Sequence, residues 1–245
     1  PVEIGELEAF VGDMAIQNKW DIPKVEEMSG KKIAVIGGGP SGLTASAFLR
    51  RKGYNVTIYE KYDKLGGLLS HGIPDFRLPR DILNKTIEKI LNLGIDVKYN
   101  CSLGKDITLA ELKNEYDAIL LTIGANVSAK MGIEGEDLEG VYGGNELLEN
   151  NNHPDYKGKI VVVNGGGNTA MDTSRTINRM GAKKVYVVYR RAREQMPAEQ
   201  KEIDEAISEG VEFLFQNNIV RIIGDKCVEK IECIKTELIK VEGEN

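Results

Sequence analysis

Two glycine-rich turns of the same pattern constrain the fold of this chain more than any other feature. The first lies within residues 33–42 and the second within residues 160–170. Each reads G-x-G-x-x-G/A between a strand pattern and a helix pattern, which is the context in which this motif predicts a dinucleotide-binding turn. The first glycine of the motif permits a tight turn, the second lets the backbone approach a pyrophosphate, and the final Gly or Ala lets the helix pack closely on the strand. We therefore expect an α/β protein with two Rossmann-like, three-layer nucleotide-binding domains.

The residues that end the second strand of each unit differ in charge. The apolar run after the first turn closes on Glu60, about 20 residues beyond the glycines, where a carboxylate accepts hydrogen bonds from the ribose hydroxyls of FAD or NAD. The run after the second turn ends on Arg190 and Arg191, with Arg193 close by. Guanidinium groups there favour the 2′-phosphate of NADP. Taken singly, these features also fit a solvated acid or a surface basic cluster, but as a pair they indicate electron transfer between two nucleotides.

Composition narrows the class of protein. The chain has 245 residues, of which 41% are hydrophobic and 29% charged, as in ordinary globular proteins. A net charge of −6 argues against a nucleic-acid partner. No apolar run approaches the roughly 20 residues that span a bilayer, and no signal segment is visible. We expect a cytoplasmic protein without a membrane or nucleic-acid partner.

The cysteines and the long central loop offer few candidates for chemistry. Cys101, Cys227 and Cys233 contain no C-x-x-C pair, so we interpret them as packing thiols and predict no metal site. Residues 62–80 are predicted to form an irregular loop, and a loop of this length in a compact α/β unit is usually functional. His71 in this loop invites a catalytic interpretation, but we favour a loop or packing residue, because no partner acid stands out.

Three further patterns predict local structure. Residues 1–20 are predicted to form a short amphipathic helix. Residues 116–125 have the pattern of a buried strand, and residues 219–238 contain two strand-like runs split by Gly-Asp-Lys, which predicts a hairpin.

Four stretches of the sequence closely resemble a known family. They are residues 66–79, 121–125, 165–172 and 188–191. The pattern G-G-L-L…I-P-D-F-R-L-P in the first stretch is far more specific than either glycine turn. Together the stretches resemble the small (beta) subunit of NADPH-dependent glutamate synthase. The wider group includes the N-terminal part of dihydropyrimidine dehydrogenase and the large subunit of bifurcating ferredoxin:NADP oxidoreductases.

The resemblance implies FAD on the first turn and NADP on the second. Together with the first turn's own motif, it assigns to FAD the residues Gly37, Gly39, Pro40, Ser41, Gly42, Glu60, Gly67, Leu68, Arg77, Leu103 and Gly124. It assigns to NADP, together with the second motif, Gly165, Gly166, Gly167, Asn168, Thr169, Arg190 and Arg191. NADPH would then pass a hydride to the flavin, which releases electrons singly to iron–sulfur clusters of a partner. No catalytic side chain is expected at the hydride step, because the cofactors carry the chemistry.

The sequence departs from the family's pattern at both ends. In the family an iron–sulfur domain with clustered cysteines precedes the first turn, and residues 1–29 resemble only its last part and a linker. The family also returns to the FAD domain through a strand and a G-D motif, which we do not find after Leu238. We expect a piece of a longer protein, with an FAD domain over 30–150 that is incomplete at its C-terminal return, an NADP domain over 151–245, and weakly held FAD.

The sequence leaves more than one candidate for the electron acceptor. The glutamate synthase large subunit is the first choice, and another electron-accepting subunit or ferredoxin, as in the bifurcating enzymes, is the alternative. A noncatalytic nucleotide-binding or redox-sensing module is a rival of another class. The paired arginines of the second unit argue against it, because an FAD scaffold alone has no need of them.

Overall fold

The computed structural model describes residues 2–23, 27–150 and 152–239. The chain divides into two compact units, Pro1–His71 with Asp75–Ala125 and Gly72–Pro74 with Asn126–Asn245. The division therefore falls after Ala125, ahead of the predicted boundary at 150/151. The reason is that residues 126–150 pack within the second unit, where for example the Ile222 N–H donates to the Glu134 carbonyl at 2.9 Å. The predicted α/β class is confirmed.

The first unit is built around a parallel sheet of four strands in the order β3-β2-β1-β4. Its elements are α1 (Ile4–Gln17), β1 (Lys32–Ile36), α2 (Pro40–Arg51), β2 (Asn55–Tyr59), α3 (Leu68–His71), α4 (Arg80–Leu91), β3 (Asp96–Lys98), α5 (Leu109–Glu115) and β4 (Ala118–Leu121). Side chains alternate across the sheet. Val35 lies in a core with α2 and α4, whereas Ala34 and Ile36 lie in a core with Leu112 of α5. The unit therefore has three layers.

Two local predictions for the first unit need correction. The strand predicted over 116–125 is neither as long nor as buried as expected, because β4 is the edge strand of the described sheet and Leu121 is 54% exposed. The loop predicted over 62–80 contains the short helix α3, since Leu69, Ser70 and His71 donate their N–H groups to carbonyls of Gly66 and Gly67. The predicted N-terminal helix is present as α1, with Ile4, Leu7, Phe10 and Val11 exposed.

The second unit contains a parallel sheet of three strands in the order β5-β6-β7. Its elements are α6 (Gly144–Asn150), β5 (Ile160–Asn164), α7 (Asn168–Arg179), β6 (Lys184–Tyr189), a 3-10 turn (Arg193–Gln195), α8 (Gln200–Ser208), β7 (Glu212–Phe215), β8 (Asn217–Ile223) and β9 (Lys230–Lys235). Helices α7 and α8 cover one face of the sheet around Val187. The predicted hairpin is confirmed as β8–β9, and it covers the other face through Ile219 and Ile222.

An ion-pair cluster fixes α7 against α8. Arg175 is 3% exposed, and its guanidinium lies 2.5 Å from Glu202 Oε2, 2.8 Å from Glu205 Oε2 and 2.7 Å from Glu209 Oε1. Hydrogen bonds from Arg179 and then Arg175 lower the pKa of Glu209 to about 2. A buried guanidinium needs such partners, because an unpaired buried charge costs several kcal/mol. The cluster therefore holds in place the helix whose N-terminus follows the second glycine turn.

Within the described ranges, no helix is both long enough and apolar enough to cross a membrane.

Candidate nucleotide-binding sites

The first glycine turn lies where β1 ends, and two of its glycines have no room for a side chain. Gly37 has φ +104° and donates its N–H to the Tyr59 carbonyl at 2.8 Å. A Cβ on Gly37 would lie 2.4 Å from the Thr122 carbonyl oxygen, and one on Gly42 would lie 1.9 Å from the Gly37 oxygen. Both neighbours are backbone atoms that cannot move aside. Glycine at these positions therefore serves the tight turn and the close packing of α2 on β1 that a dinucleotide turn requires.

A threonine that the sequence analysis did not single out supports this turn. The Thr122 hydroxyl lies 3.0 Å from the Ile36 carbonyl oxygen and 2.9 Å from that of Gly37, and its one proton is shared between them. It follows β4 directly, so the strand next to β1 fixes the geometry of the turn. The stretch L-T-I-G-A was recognised in the sequence, but only Gly124 was assigned from it. A contact between residues so far apart in the chain leaves no spacing signal.

Glu60 lies at the end of β2 with its carboxylate directed at the turn. It is 4% exposed, its Oε2 accepts from the Gly38 N–H at 2.7 Å, and its Oε1 accepts from the Tyr62 N–H at 3.0 Å. These charge-assisted bonds hold the carboxylate in one orientation. Each carboxylate oxygen can accept two hydrogen bonds, so each retains capacity for a ligand hydroxyl. A ribose diol is the ligand group that this arrangement fits.

A second glycine pair faces the turn. The Gly66 N–H donates to the Gly38 carbonyl at 2.8 Å, and a Cβ on Gly67 would lie 2.8 Å from the Gly39 Cα. The two backbone segments therefore approach each other at a point where no side chain intervenes. Beside this point α2 begins, and the N–H groups of a first helical turn have no partner within the helix. Backbone N–H groups and the helix dipole suit a pyrophosphate.

The other residues predicted for the first site lie around this turn. Pro40 and Ser41 open α2, Leu68 opens α3 and is 49% exposed, and Gly124, with φ +72°, follows β4. The structure brings Leu103 to the same edge of the sheet, where it packs with the cluster around Ile36.

Arg77 and His71 lie further along the loop. Arg77 is half-buried in the segment between α3 and α4. The ring of His71 packs against Tyr62 with 4.3 Å between centroids, which fits the packing interpretation of this residue.

The cysteines are outside both turns. Burial, with Asp106 adding to it, raises the pKa of the Cys101 thiol, so this side chain is not an activated nucleophile. Cys227 and Cys233 are exposed, so the interpretation as packing thiols is wrong for these two. Their positions near and within the hairpin strand β9 leave them at the surface. Among the residues that the structure describes, no cluster of His, Cys, Asp and Glu is suited to a metal ion.

The second glycine turn lies at the end of β5. Gly165 has φ +133° and donates to the Val188 carbonyl at 3.0 Å. The ring of Tyr189 covers Gly166, since a Cβ there would lie 2.6 Å from the tyrosine Cε2. Gly167 precedes α7, and a Cβ on it would meet no atom within 4 Å. Open space beside a helix N-terminus is where an anion can approach the backbone.

Residues 195–199 form a strap that is tied to this turn at three points. The Tyr189 hydroxyl donates to the Gln195 carbonyl at 2.6 Å, the Ala198 N–H donates to the Gly166 carbonyl at 3.0 Å, and the Glu199 N–H donates to Asn168 Oδ1 at 3.0 Å. The Asn168 side chain, which was predicted to bind the nucleotide, thus holds the strap. The role of Tyr189 was missed, because its aromatic character fits an ordinary strand residue.

Three more predicted residues, Thr169, Arg190 and Arg191, border the second turn. Thr169 lies in the first turn of α7, and its methyl group faces Gly144 of α6. Arg190 and Arg191 follow β6 directly. Because β5 and β6 are parallel with Asn164 opposite Val188, the arginine pair lies at the same edge of the sheet as the turn.

The neighbouring charges distinguish the three arginines of this segment. Arg190 and Arg191 are both exposed, and neither forms an ion pair with a carboxylate in the part of the chain that the structure describes. Arg193, by contrast, is ion-paired with Asp204 of α8. The pair at 190 and 191 is therefore available to an anionic ligand at this edge.

The fold and its two glycine turns define a two-unit α/β nucleotide-binding protein. A model of the family "Pyridine nucleotide-disulphide oxidoreductase" matches residues 31–243. The chain belongs to this family. The oxidoreductase class predicted from the sequence is thereby confirmed.

Among characterised proteins, the chain is 42% identical over 217 residues to the NADP(+)-dependent formate dehydrogenase subunit beta of Moorella thermoacetica. It is 37% identical over 254 residues to the glutamate synthase [NADPH] small chain of Escherichia coli, which confirms the resemblance seen in the motifs. These alignments cover 86% and 97% of this chain but 31% and 54% of the relatives. The chain thus spans about a third to a half of their length.

Among solved structures, FprA of Mycobacterium tuberculosis in complex with NADPH is similar with a TM-score of 0.77 and 22% identity. The match covers 87% of this chain and 65% of FprA. At this level of identity the likeness supports the fold alone.

Proposed function

We propose that this protein is an NADPH-dependent flavoprotein oxidoreductase, with FAD on the first unit and NADPH on the second. The observation that carries the proposal is the contrast between the two strand ends. A buried carboxylate, Glu60, lies at the first turn, and an exposed arginine pair, Arg190 and Arg191, lies beside the second. A carboxylate suits ribose hydroxyls and repels a 2′-phosphate, whereas guanidinium groups attract one.

On the first unit, the residues bind and orient the cofactor. Glu60 accepts hydrogen bonds from the ribose hydroxyls, and the turn at Gly37–Gly42 with the start of α2 binds the pyrophosphate. Gly67 keeps the facing loop clear of side chains. FAD, when bound, supplies the capacity to accept a hydride and to release electrons one at a time.

On the second unit, the residues select the electron donor. The turn at Gly165–Gly167 and the start of α7 bind the pyrophosphate of NADPH, and Arg190 and Arg191 bind its 2′-phosphate. The strap over residues 195–199 keeps the turn in its binding geometry. The chain's own residues need supply no acid or base here, because the bound nucleotides would supply the hydride chemistry.

Iron–sulfur clusters of a partner subunit would accept the electrons in the intact assembly. Several relatives are themselves named as subunits, including the formate dehydrogenase subunit beta and the NADPH-Fe(3+) oxidoreductase subunit beta of Geobacter sulfurreducens. The similarity to glutamate synthase small chains extends over 97% of this chain and supports a glutamate synthase large subunit as the partner. The cytoplasm is the compartment that fits this function.

The two-site arrangement is tested by equilibrium binding to the full-length protein. We expect the flavin released on denaturation to be FAD in stoichiometric amount, and NADP+ to bind the FAD-loaded protein without displacing it. Fluorescence of the bound flavin and calorimetric titration with NADP+ measure the two events. Competition between FAD and NADP+ for one site would contradict the proposal.

A further inference from the structure

The backbone of the arginine pair is held by two residues from distant parts of the second unit. The Arg190 carbonyl accepts from the Thr236 hydroxyl at 2.5 Å, and the Arg191 carbonyl accepts from the Gln216 N–H at 3.1 Å. Gln216 and Thr236 are also bonded to each other, since the Thr236 N–H donates to the Gln216 carbonyl at 2.9 Å. The three hydrogen bonds and the peptide bond between Arg190 and Arg191 link these four residues in a ring, which we name the arginine clamp.

The topology explains why these residues meet. Strands β6 and β7 are parallel with Tyr189 opposite Phe215, so the residues after both strands lie at one edge of the sheet. Gln216 then turns the chain from β7 into β8 with φ +53°, a conformation that is uncommon for a residue other than glycine. The hairpin register pairs Asn217 with Lys235, which places Thr236 opposite Gln216.

We infer that Thr236 and Gln216 are positioning residues for the 2′-phosphate of NADPH, an inference that rests on the function proposed above. Arg190 and Arg191 follow the last residue of a strand and are exposed, so without the clamp their backbone would sample several conformations. Fixing that backbone before binding reduces the conformational entropy that the ligand must otherwise remove. The clamp therefore strengthens binding of NADPH without touching it, and NADH, which lacks the 2′-phosphate, gains nothing from it.

The test compares Thr236→Val with Thr236→Ser in the full-length protein. Valine keeps the branched shape and the backbone bond to Gln216 but cannot donate to Arg190, whereas serine keeps the hydroxyl. Loss of one such hydrogen bond predicts a dissociation constant for NADP+ raised about three- to tenfold by T236V, restored by T236S, and an unchanged constant for NAD+. Calorimetric titration of both coenzymes, with thermal unfolding alongside, gives these values.

A matched control separates the clamp from general effects of the substitution. Thr86 in α4 also donates its hydroxyl to a backbone carbonyl, that of Ile82 at 2.9 Å, but it lies in the first unit. T86V should leave both coenzyme affinities unchanged. An unchanged NADP+ affinity in T236V, or an equal loss for NADP+ and NAD+, would overturn the inference, because a purely structural bond would not discriminate between the coenzymes.

Combining variants distinguishes failure of this inference from failure of the proposed function. If Arg190→Ala with Arg191→Ala lowers the preference for NADP+ and T236V does not, the function stands and the clamp is refuted. If the double alanine variant itself leaves the preference unchanged, the proposed function is refuted, and so is the inference about the clamp that rests on it. Because the clamp acts through the two arginines, adding T236V to the double alanine variant should not change the affinity for NADP+ further.

Discussion

Replacing Arg190 and Arg191 together with alanine should lower the preference for NADP+ over NAD+ at least tenfold. The exposed pair follows β6 at the edge of the sheet that carries the second glycine turn. Each guanidinium is expected to contribute a charge-assisted contact to the 2′-phosphate worth about 1.5–3 kcal/mol, and about 1.4 kcal/mol corresponds to a factor of ten in affinity. Titration of both coenzymes against wild type and variant measures the ratio of the two dissociation constants.

Arg193 supplies a control within the same segment. It is ion-paired with Asp204, so Arg193→Ala removes a cation that is already neutralised within the protein. We expect this variant to keep the wild-type preference for NADP+ within about a factor of two, as for surface substitutions away from a site. If the double alanine variant also keeps the wild-type preference, Arg190 and Arg191 do not recognise the 2′-phosphate.

Replacing Glu60 with glutamine should weaken flavin binding at least tenfold while leaving NADP+ binding intact. The carboxylate accepts the Gly38 and Tyr62 N–H groups through its two oxygens, whereas an amide offers only one oxygen and no charge. The glutamine variant therefore weakens both the support of the turn and the bonds to the ribose, each charge-assisted bond being worth about 1.5–3 kcal/mol. Flavin retention after dilution and gel filtration measures the first effect, and NADP+ titration measures the second.

Glu60→Arg should lose the flavin more completely, because a cation then replaces the ribose acceptor. Since Glu60 is 4% exposed, the larger arginine side chain would also strain the turn. The glutamine variant is therefore the variant that tests the role of Glu60. Glu88→Gln, on an exposed position of α4, is the matched control and should retain flavin as wild type does. A Glu60→Gln protein that keeps its yellow colour through dilution would refute the role assigned to this carboxylate.

The parts of the fold that depend on neighbouring residues could be predicted from the sequence. Both glycine turns lie between a strand and a helix as the local pattern indicates, and Glu60, Arg190 and Arg191 follow the strands that the apolar runs predicted. The hairpin over β8 and β9 was predicted from the turn residues between its two runs. Local chemistry decides these features, so the sequence is sufficient for them.

The features that depend on distant residues could not be predicted. The hydrogen bonds of Thr122 to the first turn and of Thr236 to Arg190 join residues 85 and 46 positions apart, and no spacing encodes them. Burial of β4 was mispredicted for a related reason, since an apolar run is the same in a central strand and at an edge. The sheet order, which only the tertiary structure gives, decides between them.

Anaerobic mixing of the full-length, FAD-loaded protein with NADPH tests the central claim most directly. Loss of the flavin absorbance band, followed in a stopped-flow instrument, reports hydride transfer from the second unit's nucleotide to the first unit's flavin. We predict rapid loss of the band with NADPH, much slower loss with NADH at the same concentration, and a rate with NADPH that falls in the Arg190→Ala, Arg191→Ala variant. A flavin that stays oxidised while NADPH is bound, or that is reduced equally fast by NADH, would contradict the assignment of these two sites.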